Sequence, residues 1–139
     1  MNKMQTVKFQ NLEAFFNFLP KDEYRLFIPL RNLVLDSVPG TQESLRYNVP
    51  YYKRNSGLFF NWPGAMFWGG KRTFEGVRYG FQRANLLVDP FDWLDRGKRK
   101  QVTWQDFNTL NSKDEEVLRY FIQASVWNDT GLLFLNRRT

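Results

Sequence analysis

Apolar positions along this chain recur first at helical spacing, then at every second residue, and finally at helical spacing again. From Asn11 to Leu19 the stripe is Leu12, Phe15, Phe16 and Leu19, which predicts a short amphipathic helix. Pro20 ends it and suits the first turn of a second helix, where its missing N–H costs nothing. Lys21 to Val38 carries Phe27, Leu30, Val34 and Val38, widened by Tyr24, Ile28 and Leu35, against a polar stripe of Lys21, Arg25, Asn32 and Asp36. Pro29 falls on that polar stripe, where a bend convex toward solvent is tolerated. Pro39-Gly40 stops the helix.

From Glu43 the period becomes two. Leu45, Tyr47 and Val49 alternate with Ser44, Arg46 and Asn48, which predicts one strand. Pro50 interrupts it, as at an edge or a bulge. Tyr51 to Arg54 continues extended, and Asn55-Ser56-Gly57 reads as a hairpin turn into Leu58 to Trp62. Pro63-Gly64 breaks that strand and Gly69-Gly70 bends the chain. Glu75 to Gln82 is the next strand, with Val77, Tyr79 and Phe81 on one side and Gly76, Arg78, Gly80 and Gln82 on the other. Its glycines leave a face that a ligand or another backbone can approach closely. Lys98 to Trp104 reads as the last strand, with Val102 and Trp104 inward.

Helical spacing returns with Val117, Leu118, Phe121, Ile122 and Ser125. Ser112 and Glu115 form an S-x-x-E capping box at the start, and Asn128 to Gly131 marks the end. The apolar tail Leu132 to Leu135 is expected to dock. Two helices, several strands too closely spaced for helical crossovers, and one more helix predict an α+β domain. The expected arrangement is a mainly antiparallel sheet of about five strands, with two N-terminal helices and one C-terminal helix packed on it. The 139 residues suit a single domain spanning 1–139 with one core.

Composition narrows the chemistry. The chain has neither Cys nor His. Thiol chemistry, thiolate or imidazole metal sites and Ser-His-Asp triads are therefore excluded. Acid–base catalysis would fall on Asp, Glu, Lys or Tyr with strongly shifted pKa values, so a binding protein is expected ahead of an enzyme. No apolar run approaches a membrane span, and Met1 to Gln10 has no signal-peptide core, so a cytoplasmic location with no membrane partner is the expectation.

The net charge of +6 is unevenly placed. Arg46 to Lys100 holds eleven Lys or Arg against four acids, a net +7, and the remainder of the chain is near neutral. A basic sheet attracts anions, although such a surface also simply keeps a small protein soluble. The candidate ligand-binding residues are Arg46, Tyr47, Tyr51, Lys53, Trp62, Trp68, Arg78, Arg83 and Lys98, with Arg54 beside them. Arg offers bidentate contacts to phosphate or carboxylate, and Tyr or Trp offers a stacking plane. Arg46 and Arg78 would clamp a small anion if strand alternation puts them on one face. The plainer reading makes the aromatics core residues with Arg stems laid over them. Gly97-Lys98-Arg99-Lys100 lacks a P-loop pattern, and no helix-turn-helix, zinc-finger or RNP signature points to nucleic acid.

Several motifs occur in a telling order: Leu19-Pro20, Glu43-x-x-Arg46-Tyr47-x-Val49-Pro50-Tyr51-Tyr52, Gly80-Phe81, Asn85-Leu86-x-x-Asp89 and Gly97-Lys98-Arg99-Lys100-Gln101-Val102. Over nearly its whole length the chain resembles the YdhG-like family, a domain of unknown function. Ala84-Asn85 stands where many members have Gly-Ala or Gly-Asn. The resemblance implies the same α+β fold and, as function, a frataxin-like intracellular iron chaperone. Iron would need clustered carboxylates in a chain without His or Cys, and Asp89, Asp92 and Asp95 are the candidates. No other cofactor is implied. The residues themselves favour a module for a small anionic or aromatic ligand on a basic, aromatic sheet face.

Overall fold

The structure is a computed structural model that describes residues 8–67, 71–94, 96–97 and 99–138, the side chains of 132–138 excepted. Helix α1 (Leu12–Phe18) starts where the Asn11 side chain accepts a hydrogen bond from the Ala14 N–H at 2.9 Å. Helix α2 (Lys21–Ser37) follows at once, with Pro29 inside it. Its inward face is Glu23, Leu26, Phe27, Leu30, Leu33 and Val34. The predicted stripe of Phe27, Leu30, Val34 and Val38 is buried, but it is widened by Glu23, Leu26 and Leu33, whereas Tyr24 is exposed and Ile28 and Leu35 are half-buried. Glu23 anchors that flank. Its buried carboxylate accepts from the Ala65 N–H at 2.9 Å and from Arg72 at 2.8 Å, which ties α2 to the loop after the third strand. The hydrogen bond to Glu23 is also the main reason the Arg72 guanidinium pKa is raised.

Five strands follow in a simple antiparallel meander, β1 (Gln42–Arg46), β2 (Val49–Lys53), β3 (Gly57–Pro63), β4 (Val77–Phe81) and β5 (Thr103–Phe107). The expected single strand across Glu43–Val49 is instead a hairpin. Arg46 pairs with Val49, and Tyr47-Asn48 forms a two-residue turn with φ of 55° and 65°. Left-handed φ at both positions is what a type I′ turn needs to match strand twist. Pro50 lies one residue before the β2–β3 ladder begins at Tyr51, and that ladder is shifted at Tyr52/Lys53.

The sheet's inner face carries Tyr52, Phe59, Tyr79, Phe81 and Phe107, all buried. Helix α3 (Ser112–Arg138) meets it there, with Phe121 5.8 Å from Phe81 between ring centroids. Glu43, opposite Tyr52, also points inward and binds the Arg31 guanidinium of α2 bidentately at 2.8 Å. The capping box of α3 lies one residue earlier than expected. The Asn111 side chain accepts from the Asp114 N–H at 2.8 Å and Asp114 accepts from the Asn111 N–H at 3.3 Å. The helix also runs past its predicted stop, through Gly131, to Arg138. One reason is Asp129, buried on α3, which accepts from Ser56 Oγ at 2.5 Å and from the Asn55 N–H at 3.2 Å, so the β2–β3 turn docks on the helix beyond Asn128. The docking expected of Leu132–Leu135 lies outside the described side chains. The observed fold is the expected α+β architecture. Among the described residues, no helix is long and apolar enough to cross a membrane.

Candidate ligand-binding groove

Strand alternation sends every second side chain to the sheet face opposite the helices. Register aligns two ranks there. One runs Tyr51, Phe60, Gly80, Trp104 across β2 to β5, and the other runs Trp62, Arg78, Asp106 across β3 to β5. Tyr51 stacks on Phe60 with centroids 5.3 Å apart, and Phe60 meets Trp62 edge-on at 6.4 Å. The Trp62 indole is fixed by a 2.7 Å hydrogen bond from its N–H to the Met66 carbonyl. Phe74 and Thr73, from the loop before β4, and Gln82 and Val102, from the strand ends, complete the walls. The result is an open groove of about 330 Å³, and among the described residues no helical one lines it. Its size falls at the lower end of small-molecule sites.

Gly80 makes the floor possible. A β-carbon there would lie 1.9 Å from the Phe60 ring, so only glycine lets that ring lie flat on the sheet. The open face expected over Gly80 is thus filled from within by Phe60. At Gly76, with φ of 79°, the close approach is backbone, since a β-carbon would meet the Phe107 carbonyl oxygen at 1.8 Å.

Arg78 stands between aromatic neighbours, its guanidinium 4.0 Å from the Phe74 centroid and 4.3 Å from that of Trp104. Asp106 grips it bidentately at 2.7 and 3.0 Å. Strand alternation does put Arg46 and Arg78 on one face, but the charge of Arg78 is already compensated. Arg46 lies over Tyr51 at 5.4 Å and Tyr47 at 6.0 Å, at the β1–β2 end. It has no carboxylate partner among the described residues. Arg99 lies 3.6 Å above the Trp104 ring at the opposite edge. Burial, with the neighbouring Tyr47 and against the pull of Arg46, pushes the Tyr51 phenol up to about 12, so it stays a neutral donor at physiological pH.

Of the residues read from the sequence, Tyr51, Trp62 and Arg78 line the groove, and Arg46 and Tyr47 lie beside it, Tyr47 against Tyr51 and Trp62 and Arg46 over Tyr51. Lys53 is exposed further along β2, and Arg83 lies half-buried after β4, neither in the lining. Arg54 is turned to α3, donating to the Thr130 hydroxyl at 3.1 Å. Trp68 and Lys98 fall outside the described residues. Phe60, Phe74 and Trp104 were missed. Val102 and Trp104 face the groove rather than the core, because the last strand begins at Thr103 and puts Thr103 and Phe107 inward. The alternation of Phe59 with Phe60 was the signal that could have found the floor.

No family model, curated protein or solved structure matches this chain. Of the carboxylates named for iron, Asp89 is engaged elsewhere. Asp89 accepts from the Phe91, Trp93 and Leu94 N–H groups at 3.2, 2.8 and 2.8 Å, which is turn chemistry. Asp92 is an exposed residue with φ of 50°, and Asp95 lies outside the described residues. Among the described residues no three acidic side chains gather as a metal site would require.

Proposed function

We propose that this protein is a binding module for a small planar aromatic ligand carrying an anionic group, held in the groove on the helix-free face of the sheet. The observation that carries the reading is the convergence of Tyr51, Phe60, Trp62, Phe74 and Trp104 on one groove built on a floor that requires glycine. Exposed aromatic surface in a concave site is what ring ligands recognise. Arg78, paired with Asp106, supplies a hydrogen-bonding and cation–π edge rather than net charge, which favours a ring over a bare anion. Membership of the YdhG-like family and a cytoplasmic location belong to the same proposal, supported by the motif order and the missing cysteine.

A thermal-shift series separates this reading from an anion clamp and from the iron chaperone that the resemblance suggests. Millimolar 1-naphthoate is expected to raise the Tm, and inorganic phosphate or ferrous iron to leave it within error. Trp104→Ala combined with Phe74→Ala should abolish the naphthoate shift. A phosphate shift as large as that of naphthoate, or a naphthoate shift that survives the double variant, would overturn the proposal. A shift with ferrous iron alone would favour the chaperone.

A further inference from the structure

Tyr47 holds a backbone conformation that its side chain disfavours. The β1–β2 turn needs left-handed φ at both central positions, and Asn48 meets that need in the ordinary way. Tyr47 does not, since a β-carbon and a bulky ring make a φ of 55° an uncommon choice. Core burial does not compensate, because the residue is 55% exposed. What the conformation achieves is placement. The ring lies nearly parallel to Trp62, 24° between planes and 6.5 Å between centroids, and tilted against Tyr51 at 6.0 Å. Arg46, the residue before it, spreads its guanidinium over the same two tyrosines. Strain that persists at a surface turn and sets an aromatic against two groove-lining rings, Tyr51 and Trp62, points to use of the side chain.

Resting on the groove reading above, we infer that the Arg46–Tyr47 turn is a preformed clasp for the acidic end of a planar aromatic acid. The ring of the ligand lies on the groove floor, its acidic end flanked by Tyr47, Tyr51 and Trp62, and its oxyanion meets the Arg46 guanidinium. Arg46 is suited to that contact where Arg78 is not, since Asp106 already occupies the planar fork of Arg78. Carboxylate and phosphate share this chemistry. Holding Tyr47 in place before binding lowers the ordering cost of the complex.

Calorimetric titration with 1-naphthoate, 1-naphthyl phosphate and the uncharged 1-naphthamide tests the clasp. Wild type should bind either acid or both more tightly than the amide, the tighter acid naming the oxyanion. Arg46→Gln should erase that preference. Tyr47→Gly, which keeps the turn geometry and removes the ring, should weaken binding about tenfold while the Tm holds or rises. Tyr47→Phe, in which the ring returns, should restore the affinity. Equal binding of acid and amide by wild type, unchanged affinity in Tyr47→Gly, or a Tm fall of more than about 5 °C in that variant would overturn the clasp. The last would show that the ring serves packing. Failure of wild type to bind any of the three compounds would instead sink the groove reading itself.

Discussion

At the scale of single residues, the buried tyrosines define how the core responds to base. Burial, then the neighbouring Tyr52, raises the Tyr79 phenol well above its ordinary value of 10.0, and burial followed by Glu43 does the same for Tyr52. Tyr51 is raised to about 12. A group whose folded pKa is raised contributes stability that is fully present below its unfolded value. That stability is lost as pH rises toward the folded pKa, because the unfolded state releases its proton first. Stability should therefore be level in this respect up to about pH 10 and fall above it. The Tyr79 hydroxyl has no hydrogen-bond partner among the described residues, so its burial is not offset by a bond. Denaturation of Tyr79→Phe should show stability at pH 7 equal to wild type or higher, with a shallower alkaline decline. A loss of more than about 1 kcal/mol at pH 7 would mean that the hydroxyl does make a stabilising bond.

At the scale of elements, what could be read in the sequence was what periodicity controls. The two N-terminal helices, the Glu75–Gln82 strand and the helix through Phe121 followed from apolar spacing, and the Leu58–Trp62 strand from the Asn55-Ser56-Gly57 turn before it. Boundaries and parity were harder. Tyr47-Asn48 contains no glycine, and Asn48 alone was too weak a cue to announce the turn that splits the predicted first strand. Hydrophobicity assigned Trp104 to the core, yet Thr103 is the buried neighbour, because the register with β4 places Trp104 opposite Gly80 on the outer face. Phe60, Gly80 and Trp104 thus meet through pairing between strands distant in sequence, which no single window contains. Their interdependence yields a prediction. Gly80→Ala would drive a β-carbon into the Phe60 ring and force it off the sheet, destabilising the protein by about 1–3 kcal/mol. Chemical denaturation should record that loss, and ring-ligand binding should weaken with it. An unchanged midpoint would show that Phe60 can vacate its place freely.

For the whole molecule, charge and architecture divide the labour. The helices and the inner aromatics form one core, fastened at its rims by Glu43 to Arg31, by Glu23 to Arg72 and by Asp129 to the β2–β3 turn. None of these acids was visible as structural in the sequence, where a carboxylate reads as surface. With that side closed, the outer face is left to the groove. Much of the basic excess that suggested an anion site is engaged within the fold: Arg78 by Asp106, and Arg96 by the Ala84 and Leu87 carbonyls at 2.9 and 2.8 Å. What the outer face offers is aromatic surface with Arg46 at one end.

Four of the chain's five tryptophans report on this claim directly. Trp62 and Trp104 line the groove, Trp93 stacks on Phe121 at 5.7 Å, and Trp127 is 79% exposed on α3. In ¹H–¹⁵N spectra of the wild-type protein titrated with 1-naphthoate, the indole resonances of Trp62 and Trp104 should move and saturate together. Those of Trp93 and Trp127 should stay in place. Movement of Trp127 with Trp62 and Trp104 unmoved, or no movement of any of the four at millimolar ligand, would contradict a ring-binding groove on this face of the sheet.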